Sequence, residues 1–172
     1  MGIKLPSRVV AAMAASGGSV IIGLAAYIAP FEGERLEAYQ DVNGTWTICD
    51  GETHGVKKGD RATHAQCMAM LEKRVGIFLP MVDKVLPGLP LNRRLAYGDL
   101  VYNLGPGILT RRATDGDTPP RYIPGTSIVE LERAGKWQQA CERMRLFVYA
   151  GKKVYNGLVA RRNDEVKLCL QN

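Results

Sequence analysis

The apolar positions of the 172-residue chain change period several times, and each change predicts an element. Residues 9–29 (VVAAMAASGGSVIIGLAAYIA) form one uncharged block, preceded by Lys4 and Arg8 and closed by Pro30 and Glu32. Twenty-one helical residues would cross roughly 30 Å of hydrocarbon. Residues 31–40 are predicted to continue a short helix with Phe31, Leu36 and Tyr39 inward. Asn43-Gly44, ahead of the strand formers Thr45–Ile48, marks a hairpin. With the further turns Asp50-Gly51 and His54-Gly55, residues 39–57 are expected to form a small antiparallel sheet. Thr63 and Gln66 make a capping box, and Cys67, Met70, Leu71, Val75, Phe78 and Leu79 recur at helical spacing, so a helix is expected to about Leu79. A second amphipathic helix spans 91–105 and is closed by Gly105-Pro106-Gly107. The prolines and glycines of 111–127 predict a surface loop, after which helices resume near 127–134, 136–149 and 158–170. No internal repeat is present. The pattern gives an α+β, predominantly helical chain: residues 1–30, a sheet-bearing lobe (31–62), a linking helix (63–80) and a helical lobe (81–172). A cleft between the lobes is where a substrate is expected.

The composition of the first block changes how it is read. Twelve of its 21 residues are Ala, Gly or Ser, and Gly17-Gly18 between two serines breaks its middle. Leu, Ile and Val favour insertion by only a few tenths of a kcal/mol each, and Gly and Ser do not. Insertion is therefore marginal, and the expectation is a weak or releasable inner-membrane anchor. Its positive flank leaves the N-terminus in the cytoplasm and the remainder in the periplasm. The alternatives are a cleaved signal peptide and a buried core helix. A net charge of +6 points to polyanionic partners, among them nucleic acid, anionic lipid and bacterial wall polymer. No nucleic-acid module is present, which ranks nucleic acid below the wall. Cys49, Cys67, Cys141 and Cys169 suit an oxidising compartment and match no zinc spacing. Of three connectivities, Cys49–Cys67 with Cys141–Cys169 keeps each bridge within one predicted lobe; free buried thiols are the alternative.

Chemistry concentrates at 31–51 (FEGERLEAYQDVNGTWTICDG). Glycosidic cleavage needs a proton donor for the leaving oxygen and a second carboxylate to activate or stabilise what comes in. Glu32 follows the apolar Ile28–Phe31 run, a setting that favours a neutral acid, whereas Asp41 opens a wetter turn. Thr47 lies on the returning strand, where its hydroxyl would hold a water. Each also has an ordinary structural explanation: a helix-end glutamate, a turn aspartate, a strand threonine. Cys49, Asp50, Glu52 and His54 crowd on one turn too closely for a metal site, so no metal and no cofactor is expected.

The spacing Glu32-x8-Asp41-x5-Thr47 resembles the catalytic signature of phage-type lysozymes, glycoside hydrolase family 24. The surrounding AYQDVNGTWTICDG run, the stretches at 102–107 (YNLGPG) and 149–151 (YAG), and GLVARR at 157–162 resemble that family too. With the weak membrane block, the chain is similar to signal-arrest-release endolysins. The resemblance implies a two-lobed lysozyme-like fold and a muramidase that cleaves the β-1,4 bond between N-acetylmuramic acid and N-acetylglucosamine, lysing the host cell. It implies Glu32 as general acid, Asp41 as base or charge stabiliser, Thr47 as water holder, and Asn103 and Arg161 or Arg162 as substrate contacts or supports. The expected partners are peptidoglycan glycan strands and, transiently through residues 9–29, the inner membrane; the expected state is a monomer. Two departures stand out. Glu52 replaces a histidine that many members carry, and residues 1–30 hold no cysteine, so activation by disulfide exchange lacks its parts. The rival readings are a lytic transglycosylase and an inactive membrane-tethered wall-binding protein.

Overall fold

The computed structural model describes residues 4–111, 126–151 and 153–171. The loop expected over 111–127 lies, from 112 to 125, outside the described residues. The chain divides into two compact units, Pro6–Ile77 and a second made of the part from Phe78 onward with the residues before Pro6.

In the first unit the apolar block is two helices, α1 (Ser7–Ala15) and α2 (Val20–Glu32). Gly17 and Gly18 take φ of 67° and 91°, left-handed values that glycine adopts freely, and Ser19 caps α2 through Ile22 N–H. The helices approach closely because Gly23 has no side chain: a Cβ there would lie 2.6 Å from Met13 Cγ. Pro30 lacks the N–H that would bond the Ala26 carbonyl, and Arg8 Nε donates to that oxygen instead at 3.1 Å. Val9, Leu24, Ala25, Tyr27 and Ile28 are buried. No helix among the described residues is long and apolar enough to cross a membrane.

The helix expected over 31–40 ends at Glu32. Gly33 at φ 66° terminates it, and Arg35–Gln40 is strand β1, antiparallel to β2 (Trp46–Cys49). Pairing with Trp46–Cys49, rather than anything in R-L-E-A-Y-Q itself, selects strand over helix here. The hairpin is present, although not as a two-residue Asn-Gly turn. Only Gly44 has positive φ, and Asp41 N–H donates to Thr45 O at 2.9 Å across a longer loop. Helix α3 (His64–Val85) opens with the Thr63–Gln66 box and runs past Pro80, six residues beyond the expected end. The Cys49–Cys67 disulfide ties β2 to α3.

The second unit holds α4 (Leu91–Leu104), α5 (Ile128–Arg133), α6 (Trp137–Arg143) and α7 (Asn156–Cys169). The helix expected over 136–149 stops at Arg143. A 3-10 turn (Met144–Leu146) follows, then a hairpin of β3 (Tyr149–Ala150) and β4 (Lys153–Val154), with Gly151 at φ 60° at its bend. Helices α4 and α7 share the core through Leu95, Ala96, Leu100, Val101, Val166 and Cys169. The Cys141–Cys169 bridge closes α6 onto α7. Both disulfides are the local pairs. The class is α+β and predominantly helical, as expected.

Candidate active site

Glu32, Asp41 and Thr47 all belong to the first unit. Glu32 is the last residue of α2, one residue before the left-handed Gly33, and its Oε1 is buried. Asp41 stands where β1 becomes the turn. Its Oδ1 accepts the N–H groups of Asn43 (2.9 Å) and Thr45 (2.8 Å), so the turn backbone fixes the carboxylate through one oxygen. Thr47 pairs with Tyr39 across the ladder, is buried, and donates its hydroxyl to Thr45 O at 3.0 Å. Thr45 thus joins the two: its N–H holds Asp41, and its carbonyl holds Thr47.

Asn103 and Arg161 lie in the second unit. Asn103 sits half-buried in the last turn of α4, its Oδ1 accepting Arg162 Nη2 at 3.0 Å. Arg161, 5% exposed, directs Nε and Nη2 at the Asp99 carboxylate, with Nη2 at 2.5 Å. Arg162 Nη2 also donates to Glu165 Oε1 at 2.6 Å. Burial pushes the Glu165 carboxyl well up, Asp99 adding to the effect.

The turn after β2 contains side chains that sequence reasoning gave no catalytic part. Glu52 caps its own turn: Oε1 accepts the N–H groups of Thr53 (2.9 Å) and His54 (2.8 Å). Those bonds, that of His54 first, hold the Glu52 carboxyl below its ordinary range. Cys49 is spent in a disulfide and is no metal ligand. Among the described residues no cluster of His, Cys, Asp and Glu is arranged to hold a metal ion. Asp50 is shifted the other way, chiefly by burial, then by Glu34 and Glu32, against Arg74 and His64. Nothing in the sequence placed these five side chains together, since that depends on strand register and on the path of α3.

A family model described as phage lysozyme matches residues 29–165. The chain belongs to the phage lysozyme family. This phage lysozyme is 34% identical over 156 residues to a SAR-endolysin of Pseudomonas phage phiKMV, covering 90% of both chains. It is 30% identical over 175 residues to a SAR-endolysin of Enterobacteria phage P21, covering 95% of this chain and 94% of that one. Among solved structures, the active form of P1 phage endolysin Lyz matches at a TM-score of 0.72 and 27% identity, over 98% of this chain and 96% of that one. This phage lysozyme is a glycoside hydrolase of peptidoglycan that acts in host cell lysis.

Proposed function

We propose that the enzyme is a muramidase that hydrolyses the β-1,4 bond between N-acetylmuramic acid and N-acetylglucosamine. Glu32 gives its proton to the leaving glycosidic oxygen. Asp41 takes a proton from a water held by Thr47, and that water's oxygen bonds to the anomeric carbon, inverting it. The inverting route needs the two carboxyl groups roughly 6.5–9.5 Å apart, so that a water fits between acid and base. The observation that carries this reading is the fixing of Asp41: one oxygen is held by two backbone N–H groups, which keeps the charge in place and leaves the other oxygen for the water. Asn103 is assigned a glycan contact, because its carbonyl is taken by Arg162 and its amide N–H groups suit an acetamido oxygen. Arg161 is assigned a supporting role, its guanidinium being engaged by Asp99. The direct test is mass spectrometry of digested wall: reducing-end muramic acid is the expected product. Anhydro-sugar ends would instead assign a lytic transglycosylase, and an absence of soluble fragments would assign a wall-binding protein.

We also infer that residues 9–29 first tether the chain to the inner membrane as one continuous helix and then leave it for the periplasm. Supporting this are the SAR-endolysin relatives, the Ala/Gly-rich composition, and the packing of α1 and α2 within the hairpin unit. Glu32 lies too near the tether for α2 to pack while the block is in the bilayer, so activity waits on release. Replacing Gly17, Gly18 and Ser19 by leucine strengthens insertion and removes the turn between α1 and α2. The variant is expected to resist alkaline extraction from membranes and to fail to lyse cells. Its recovery in the periplasmic fraction would refute the tether.

A further inference from the structure

Packing does little to fix the loop that carries Asp41. Val42 is fully exposed, and a Cβ placed at Gly44 would have no neighbour within 4 Å among the described residues. Hydrogen bonds set the shape instead. Asp41 N–H donates to Thr45 O at 2.9 Å, and Gly44 N–H donates to Asp41 O at 3.0 Å. Asp41 Oδ1 accepts the N–H groups of Asn43 and Thr45. That leaves the Gly44 carbonyl, which accepts no backbone N–H among the described residues. A side chain takes it: Gln40 Nε2 donates to Gly44 O at 3.1 Å.

The bond gains its importance from what shares the peptide unit. The Gly44 carbonyl and the Thr45 N–H belong to one planar trans amide and point from its opposite edges. Gln40 holds one edge, and Asp41 Oδ1 holds the other at 2.8 Å. The unit hangs from Gly44, at φ 80°, a residue without Cβ whose backbone turns freely. A rotation that withdrew the carbonyl from Gln40 would also swing the Thr45 N–H off the carboxylate. Gln40 is well placed to prevent this, because it is the last residue of β1 and pairs with Trp46 across the ladder. Its side chain is exposed and lies in no core, so the bond to Gly44 is what its amide contributes.

We propose that Gln40 is a positioning residue for Asp41: its amide holds the Gly44–Thr45 peptide plane, and that plane holds the carboxylate with its second oxygen aimed at the attacking water. The proposal rests on Asp41 being the base. The test measures kcat and KM on soluble dye-labelled glycan strands, amide hydrogen exchange at Thr45, and a melting curve. The proteins compared are the parent, Gln40→Met, Gln40→Lys and Asp41→Asn. Methionine matches glutamine in length but donates nothing, whereas lysine supplies a donor again. Gln40→Met is expected to lower kcat about tenfold with KM unchanged. That lies between the few-fold effect of one exposed hydrogen bond and the roughly hundredfold effect of a reacting group misplaced by about an ångström. The Thr45 amide is expected to exchange several-fold faster, with the melting temperature unchanged. Gln40→Lys should return both kcat and the Thr45 rate toward the parent. An unmoved kcat, a loss confined to KM, or an unaltered Thr45 rate in Gln40→Met overturns the proposal. So does a kcat loss that comes with a lowered melting temperature and that lysine does not restore. If Asp41→Asn keeps the parent's activity, the assignment of Asp41 as base fails, and the positioning role falls with it even where Thr45 exchange responds to Gln40→Met.

Discussion

Glu32→Gln is expected to slow turbidity loss of outer-membrane-permeabilised cells about a thousandfold while the protein stays folded. Glutamine matches glutamate in shape but has no carboxylic proton to give, and a positioned acid or base is worth about 10²–10⁴ in rate. Helix α2 should tolerate the change, because Gly33 ends it whatever stands at position 32 and glutamine fills the volume of glutamate. A thermal melt checks that point. Asp41→Asn separates charge from geometry. Asparagine's side-chain oxygen can accept the Asn43 and Thr45 N–H groups as Asp41 does, so the turn survives while the anion is lost. A hydrolase that uses Asp41 should lose activity on that change as heavily as with Glu32→Gln. A transglycosylase, needing one acid/base carboxylate only, should tolerate it. Full activity in Glu32→Gln would remove the glutamate from the mechanism.

The elements that could be read from the chain were those fixed by local chemistry. The Thr63–Gln66 box announces α3 because capping satisfies backbone N–H groups within one turn, and the helix of 91–104 announces itself by period and by a closing glycine. The helix expected over 31–40 gives way to strand at Arg35 because RLEAYQ suits either element, and the choice is made by pairing with Trp46–Cys49, a contact the chain alone does not display. The helix expected over 136–149 stops short for a similar reason: a helical period continues past Arg143, but Gly151 and the pairing of Tyr149 with Val154 impose a bend and a short hairpin. The uncharged block is two helices, α1 and α2. That its halves fold as separate helices follows from Gly17, Gly18 and the Ser19 cap, all visible in the sequence. At the site, the spacing of Glu32, Asp41 and Thr47 was legible. The environment of Asp50 was not, because it depends on which residue of β1 stands opposite Cys49 and on where Arg74 falls along α3.

Arg161→Met is expected to cost about 3–5 kcal/mol of folding stability at pH 7, read by urea unfolding, because it strips Asp99 of its partner. Asp99 is fully buried, and both contacting nitrogens of Arg161 reach its carboxylate. Arg162 and Glu165, also fully buried, complete a set of two cations and two acids between α4 and α7. Such a set is weak evidence for stability while intact, yet losing one member leaves a charge that neither water nor protein compensates. Set against a total of about 5–15 kcal/mol for a typical native protein, the loss is severe. Acid should relieve it. Burial, with Asp99, raises Glu165, so the folded form takes up a proton more readily than the unfolded form does. The stability this contributes is present below the ordinary glutamate range and is lost as pH rises through the folded value. Once Arg161 is gone, Glu165, already raised by burial and by Asp99, can relieve the excess charge by binding a proton. The deficit is therefore expected to shrink between pH 7 and pH 5. Adding Asp99→Leu to Arg161→Met removes both members of one pair and should restore most of the loss at pH 7. A deficit under about 1 kcal/mol at pH 7 would mean that solvent already reaches Asp99, and the quartet would then have no part in holding α4 to α7.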